Sequence, residues 1–270
     1  MIQYETKMRY ILPLLILLGC LIGCQQTKKS PVTTINPSTE TTDTVIAQLL
    51  TDLHITPIHH ASFIIQWKET TIFIDPVNAA AFNQHLDPDI ILITDIHGDH
   101  MHIETLDSLH LEKTQLIAPQ AVAEKLPAAY TDYLVVLNNG EKKEVGPVIV
   151  EGIPMYNLRE EALQYHPKGR GNGYVLTLGS KKIYISGDTE DIPEMKALTD
   201  IDIAFVCMNQ PWTMTVDRAI PAVMSFKPKL VYPYHYRGKE KDSDVVRFKN
   251  KLQQKNPEIN VVLLDWYPNS

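Results

Sequence analysis

The amino-acid sequence predicts an α+β fold, a four-layer αββα sandwich in which two mixed β-sheets pack together and helices flank them. Short runs rich in Ile, Val, Phe and Tyr recur along the chain and predict strands. Segments of helical length separate some of these runs, whereas turn signals such as Asn138-Asn139-Gly140 join others into hairpins. Strands connected in both ways fit two mixed sheets covered by helices.

Length and charge narrow the class of protein. The chain has 270 residues, of which 44% are hydrophobic, which suffices for one large domain or two fused halves. The formal net charge is −7 and no long basic run occurs, which argues against nucleic acid as a partner. No Gly-x-Ser-x-Gly segment is present, which argues against a serine hydrolase. We expect a small-molecule partner, and the sequence leaves the oligomeric state open.

Residues 1–24 predict a lipoprotein signal peptide. Lys7 and Arg9 give the start a positive charge, and the apolar segment that follows is too short to span a bilayer comfortably. It ends in Leu21-Ile22-Gly23-Cys24, which resembles a bacterial lipoprotein box and implies cleavage before Cys24 and lipid attachment to its thiol. Leu17-Leu18-Gly19-Cys20 is a second, weaker match to such a box, and an uncleaved membrane anchor is the alternative to a cleaved signal peptide. Either interpretation predicts a protein of the bacterial cell envelope, anchored to the membrane outside the cytoplasm.

A spacer follows the predicted signal peptide. Residues 25–44 are rich in Thr, Ser and Pro and nearly free of large apolar side chains, so they bury too little surface to fold alone. We predict a flexible linker here and a folded domain over residues 45–270. Cys207 is the one cysteine of that domain, so no disulfide can form within it, and the apolar run before Cys207 predicts a buried thiol.

The predicted domain opens with a short helix and three strands. We place the helix at residues 45–50 and the strands at 55–58, 63–67 and 71–74. His60 stands in the turn between the first two strands, and Asp75 ends the third strand directly before a proline.

The next strand ends in an unusual concentration of polar groups. Residues 90–93 are an apolar run that reads as a buried strand, and residues 94–100 follow it with the sequence Thr-Asp-Ile-His-Gly-Asp-His. Two imidazoles and two carboxylates within six residues are costly to bury unless they are paired or hold a metal ion. The spacing therefore indicates a functional loop rather than part of the core.

Alternating elements continue to the end of the chain. In the middle we predict helices at 103–109 and 120–126 and strands at 115–118, 133–137, 142–145 and 147–153. In the last third we predict strands at 174–178, 182–186, 202–206, 230–236 and 261–264, and helices at 216–226 and 242–255.

Polar residues follow several of these later strands as well. Asn157 follows the strand at 147–153, and His166 stands in a Pro- and Gly-rich loop that also carries Lys168 and Arg170. Asp188 follows the strand at 182–186 in a Gly-Asp-Thr segment, and the strand from residue 230 runs to His235, with Arg237 two residues on.

Residues 95–100 resemble the His-x-His-x-Asp-His signature of the metallo-β-lactamase superfamily, with Asp95 in the first His position. The resemblance extends over about residues 53–265 and is closest to the branch of metal-dependent hydrolases that includes ascorbate-6-phosphate lactonase-like proteins. It implies two divalent metal ions, one held by Asp95, His97 and His166, the other by Asp99, His100 and His235, with Asp188 bridging them. Many members carry a metal-binding His where this chain has Asn157, so His166 and Asn157 both remain candidates to complete the first site.

The resemblance also implies a hydrolase that attacks with a metal-bound hydroxide, with Asp99 and Asp188 in catalytic roles. The expected ion is zinc, with manganese or iron as alternatives because Asp95 replaces an imidazole. Further implied roles are orientation of the metal ligands by His60 and Asp75, and substrate binding by Lys168, Arg170, Arg237 and Asn157. The expected substrate is a small ester, lactone or phosphoester. The alternatives are a phosphodiesterase acting on phospholipid and a non-catalytic, metal-binding surface lipoprotein.

Overall fold

The structure is a computed structural model that describes residues 42–268. The predicted signal peptide, its Cys24 and most of the predicted linker lie outside the described residues. Helix α1 (Thr42–Leu49) begins three residues before the predicted start of the domain. Among residues 42–268, no helix combines the length and the apolar character needed to cross a membrane.

The first sheet contains six strands in the order of the chain. They are β1 (Leu53–His59), β2 (Ser62–Trp67), β3 (Thr70–Ile74), β4 (Ile90–Leu92), β5 (Gln115–Ala118) and β6 (Leu134–Val136). The first three form an antiparallel meander, and β3 to β6 pair in parallel, so the sheet is mixed. Parallel strands need crossovers, and these contain the short helices α2 (Ala79–Phe82), α3 (Ile103–Asp107) and α4 (Gln120–Ala123).

The second sheet contains seven strands, again in chain order. They are β7 (Lys142–Val145), β8 (Val148–Met155), β9 (Gly171–Leu178), β10 (Lys181–Ile185), β11 (Ile203–Cys207), β12 (Leu230–Tyr234) and β13 (Asn260–Val261). Strands β7 to β10 are antiparallel and β10 to β13 are parallel. Its connections contain α5 (Pro193–Lys196), α6 (Val216–Phe226) and α7 (Val245–Lys255).

Aromatic contacts show how the layers pack. Phe63 of β2 stacks on Phe205 of β11 with ring centroids 4.3 Å apart, which joins the inner faces of the two sheets. On the outer face of the first sheet, Phe73 packs on Phe82 of α2 at 4.7 Å. On the outer face of the second sheet, Tyr184 packs edge-on against Phe226 of α6 at 5.8 Å. The predicted α+β sandwich of two mixed sheets with flanking helices is therefore confirmed.

Most predicted elements are present, with ends shifted by a few residues. The helix predicted at 216–226 has the observed bounds, and Thr215 caps it by accepting a hydrogen bond from the Arg218 amide. The closing helix begins at Val245 instead of 242, because Asp244 forms its cap. The sequence analysis missed α2 and α5, which have four residues each and are too short to show helical periodicity.

Candidate metal centre

The polar residues singled out in the sequence meet at one edge of the sandwich because they follow the ends of strands. Asp75 follows β3, Asp188 lies three residues after β10, and His235 follows β12. The loop after β4 supplies residues 95–100, and His166 comes from the loop that leads into β9. Neighbouring parallel strands end at the same edge of a sheet, so the loops after them converge.

Several backbone conformations at this edge are strained. His60 (φ 51°), Asp75 (φ 43°) and His235 (φ 44°) lie in the left-handed region, which non-glycine residues rarely adopt. Gly187 has φ 60°, and a Cβ there would lie 2.5 Å from Met155 Sδ. Glycine is thus required directly before Asp188. Such strain persists only where the surrounding structure enforces it, and it is concentrated at functional sites.

Asp99, His100 and His235 form one candidate metal-binding group, and Asp188 adjoins it. His235 Nε2 lies 3.3 Å from Asp188 Oδ1 and 3.5 Å from Asp99 Oδ2. His100 Nε2 lies 3.5 Å from Asp188 Oδ2 and 3.8 Å from Asp99 Oδ1. Donor atoms around one tetrahedral zinc ion at about 2.1 Å lie roughly 3.4 Å from one another. The four side chains therefore have the spacing of a ligand set.

Three buried atoms of this group make no hydrogen bond within the described part of the chain: His100 Nε2, Asp188 Oδ1 and His235 Nδ1. Buried polar atoms are rarely left unpaired, and His100 Nε2 and Asp188 Oδ1 point toward the other donors. A metal ion would satisfy them, so these residues fit a metal centre.

Asp75 contacts Nδ1 of His100, the ring nitrogen that faces away from the other candidate ligands. Asp75 Oδ2 lies 2.8 Å from His100 Nδ1, and the carboxylate also accepts hydrogen bonds from the amide and the hydroxyl of Thr94, each at 2.7 Å. This contact leaves Nε2 of the imidazole directed at Asp99 and Asp188, which is the usual arrangement behind a metal-binding histidine. Burial raises the pKa of Asp75, although His100 and Thr94 oppose the shift.

The charges within the group compensate one another. Burial by itself would lower the pKa of His100, but the carboxylates of Asp188, Asp99 and Asp75 outweigh it and raise that pKa well above its usual value. Burial would raise the pKa of Asp188, but His235 and His100 hold it well below its usual value. The carboxylate of Asp188 is therefore an anion at neutral pH, as a metal ligand must be.

His60 lies beside His235 and lines the same cavity. The two rings meet edge-on with centroids 5.3 Å apart, and His60 Nδ1 lies 3.4 Å from the Tyr267 hydroxyl. Burial, with His235 and His59 nearby, lowers the pKa of His60 to about 4. His60 is thus a neutral ring that packs on His235 rather than a hydrogen-bond partner for it.

Asp95, His97 and His166 form a second candidate group. His97 Nδ1 lies 2.7 Å from Asp95 Oδ2, and His166 Nε2 lies 3.8 Å from the same oxygen. His166 Nε2 is also 3.3 Å from Asp188 Oδ2. Since Asp188 Oδ2 faces His166 as well as His100, this carboxylate stands between the two groups.

Two predicted substrate cations are engaged elsewhere. Arg170 forms a two-pronged ion pair with Asp95, with Nε 3.1 Å from Oδ1 and Nη2 3.0 Å from Oδ2, and donates to the Tyr165 carbonyl. Lys168 pairs with Glu194 at 2.9 Å and is absent from the cavity lining. Carboxylates of this chain pair with both cations, and neither cation belongs to the cavity lining, so their substrate-binding role stays a prediction.

Asn157 is engaged by other parts of the chain, and its predicted substrate role stays untested. Its side chain is buried, and its amide nitrogen donates to the Trp212 and Ala162 carbonyls at 2.7 and 2.9 Å. The same nitrogen lies 3.1 Å from His166 Nδ1. Asn157 therefore sits behind the His166 ring, and it is His166 that joins Asp95 and His97.

The two groups border a cavity of about 420 Å³. Its lining comprises His60, His97, Asp99, Tyr165, His166, Asp188, Asn209, Trp212, His235, Arg237 and Gly238. Arg237 is the one Lys or Arg in this described lining; it stacks on Tyr267 at 3.9 Å, with Nε 3.5 Å from Asp242 Oδ1. The predicted position of Arg237 near an anionic substrate is compatible with this placement.

Asn209 is a site residue that the sequence analysis missed. Its amide nitrogen lies 3.2 Å from His235 Nε2 and 3.3 Å from Asp188 Oδ2, and the Thr213 hydroxyl donates to its oxygen at 2.6 Å. Its position just beyond β11 is the same signal that identified Asp188 and His235, but one amide has no motif of its own.

Known proteins agree with this fold. Residues 54–235 match the family model described as Beta-lactamase superfamily domain, so the chain belongs to that superfamily. A UPF0173 metal-dependent hydrolase of Nanoarchaeum equitans (strain Kin4-M) is 28% identical over 215 residues, covering 76% of this chain and 94% of the relative. One of Thermococcus onnurineus (strain NA1) is 31% identical over 189 residues, covering 66% and 81%.

Solved structures extend the agreement. A protein of Parabacteroides distasonis ATCC 8503, provisionally named a metal-dependent hydrolase, has a TM-score of 0.73 at 39% identity and covers 80% of this chain and 94% of its own. The metallo-beta-lactamase fold protein YhfI of Bacillus subtilis has a TM-score of 0.62 at 11% identity, covering 78% and 95%, which shows a shared fold. The protein is a metal-dependent hydrolase with the metallo-β-lactamase fold.

Proposed function

We propose that the protein hydrolyses a small ester, lactone or phosphoester that carries an anionic group. The cavity of about 420 Å³ supports this proposal, because it admits a small molecule and brings Arg237 to the same space as both candidate metal-binding groups. A guanidinium suits a carboxylate or phosphate, since its planar donors match two oxygens of such a group.

In this proposal Asp99, His100, His235 and Asp188 hold one divalent ion, and Asp95, His97 and His166 can hold another. Zinc is the preferred ion, and manganese or iron is admissible because Asp95 supplies a hard oxygen. Bound divalent ions would make water a better nucleophile at neutral pH and stabilise the negative charge that develops on the substrate oxygen.

The chain's own side chains then orient the reactants. Asp99 is 47% exposed at the cavity, so its carboxylate can accept a hydrogen bond from the attacking water. The buried Asp188 carries negative charge between the two groups. The amide of Asn209, fixed by Thr213, directs its nitrogen at Asp188 Oδ2 and His235 Nε2 and so helps to position both side chains.

The lipoprotein box favours a second candidate function, a phosphodiesterase that acts on phospholipid. If Cys24 is lipidated, the domain lies close to a membrane, and a phospholipid headgroup could enter the cavity while its chains stay in the bilayer. This phosphodiesterase would use the same side chains.

Activity assays of purified, zinc-loaded protein distinguish these candidates. The substrates are p-nitrophenyl acetate, an anionic lactone, bis(p-nitrophenyl) phosphate and phosphatidylcholine vesicles. We expect turnover of a small substrate that disappears after chelation, and Arg237→Gln should raise KM for the anionic lactone by roughly tenfold, as for a lost charged hydrogen bond. Lys168→Gln, a matched cation that is absent from the cavity lining, should leave KM unchanged. Turnover of vesicles alone would favour the phosphodiesterase, and zinc binding without any turnover would contradict the enzyme assignment.

A further inference from the structure

The Asp95 group already contains a cation. Asp95 has no exposed side-chain surface, and the guanidinium of Arg170 covers both of its oxygens. Arg170 is itself only 18% exposed, and the Tyr165 carbonyl accepts another of its N–H groups. The pair is therefore enclosed and fixed, unlike an exposed surface ion pair.

Interatomic distances separate the two candidate groups. In the His235 group, the donor atoms lie 3.3 to 3.8 Å apart. That is too far for good hydrogen bonds and suits atoms arranged around an ion. In the Asp95 group, His166 Nε2 also lies 3.8 Å from Asp95 Oδ2, but His97 Nδ1 lies only 2.7 Å from that oxygen, which is the length of a charge-assisted hydrogen bond.

We propose that Arg170 competes with a metal ion for Asp95, so that the protein holds one ion tightly in the His235 group and a second only weakly. The inference rests on the proposed metal centre and concerns the unequal strength of its two sites. The positive charge of Arg170 balances Asp95, which a metal ion bound in the Asp95 group would otherwise do. Release of Arg170 from Asp95 opens the second site, so the 166–170 loop determines how many ions the centre holds.

The test measures zinc binding rather than turnover. Protein freed of metal by a chelator is titrated with Zn²⁺ in a calorimeter, and the zinc retained after dialysis is counted by mass spectrometry. For the wild type we expect one retained ion per chain and a second that binds at least about tenfold more weakly. In Arg170→Gln the second affinity should rise on the order of 10- to 100-fold, the scale on which neighbours of metal ligands act.

Lys168→Gln removes a cation from the same loop but leaves Asp95 paired, and it should bind zinc as the wild type does. Arg170→Lys keeps the charge but covers the Asp95 carboxylate less completely, so its affinity for the second zinc ion should fall between those of the wild type and Arg170→Gln. If Arg170→Gln does not fold, Arg170→Lys provides the test. Two equally tight ions in the wild type, or a second affinity unchanged by both Arg170 variants, overturns the inference. No zinc in any variant would instead overturn the proposed metal centre.

Discussion

At the scale of single residues, the site depends on contacts that fix a ring or a carboxylate in one orientation. Asp75 does this for His100, because its carboxylate binds Nδ1 and is itself held by Thr94. Removal of such a partner frees the imidazole to rotate and weakens the bond that Nε2 would make to an ion.

Asp75→Asn should therefore weaken zinc binding by about 10- to 100-fold. Asparagine tolerates the left-handed backbone at this position, so the fold should persist. Competition with a zinc chelator measures the affinity, and Asp87→Asn, at an exposed carboxylate, is the control. An unchanged affinity in Asp75→Asn would show that Asp75 does not support a metal ligand.

Cys207 carries a thiol that its buried environment makes unreactive. Its side chain is fully buried, and burial, reinforced by the Asp188 charge, raises the pKa of the thiol to about 12. Because the thiolate is the reactive form, it should be scarce at pH 8 in the folded protein. We expect iodoacetamide to leave Cys207 unmodified at pH 8 and to modify it after denaturation, as peptide mass spectrometry would show. Rapid alkylation of the native protein would contradict this.

At the scale of elements, α6 shows how a helix end is fixed by its cap. The Thr215 hydroxyl accepts a hydrogen bond from the Arg218 amide, which would otherwise lack a partner in the first turn. Thr215→Ala should lower the free energy of unfolding by about 1 kcal/mol. Ser225→Ala is the matched control, since that exposed hydroxyl only donates to the Pro221 carbonyl within the same helix. Equal losses in both variants, measured by denaturant titration, would disprove a specific capping effect.

At the scale of the whole molecule, stability depends on the contact between the sheets. Phe63 is fully buried and stacks on Phe205 across that contact. Phe63→Ala should cost about 3–5 kcal/mol of unfolding free energy through lost burial and the cavity it leaves. Ile149→Ala, at a position 41% exposed on β8, should cost less than about 1 kcal/mol. Similar losses in the two proteins would mean that the sheets do not pack through Phe63.

Attachment to a membrane through Cys24 would also concern the whole molecule. We expect Cys24→Ser to prevent lipid attachment, so that the precursor is neither cleaved nor acylated at that residue. Metabolic labelling with a fatty acid and gel mobility measure both events, with Cys20→Ser as the control that should leave them intact. An acylated, cleaved form of Cys24→Ser would refute the lipoprotein assignment.

The sequence by itself determined the fold class, most elements and the residues that meet at the site. The reason is that these features have local patterns: alternating elements predict the layers, and polar residues after apolar strands mark one edge of the sheets. Asp95, Asp188 and His235 could all be named in this way, although they come from different strands.

The tertiary structure decided which charged group meets which partner. Arg170 and Lys168 stand two residues apart, yet one closes on Asp95 and the other on Glu194. The buried Asn157 contacts His166, which the sequence did not reveal. No local pattern encodes these pairings, because they depend on the path of a loop and on carboxylates distant in sequence. In a buried site such a cation binds the nearest anion that compensates its charge, and only the folded chain fixes which anion that is.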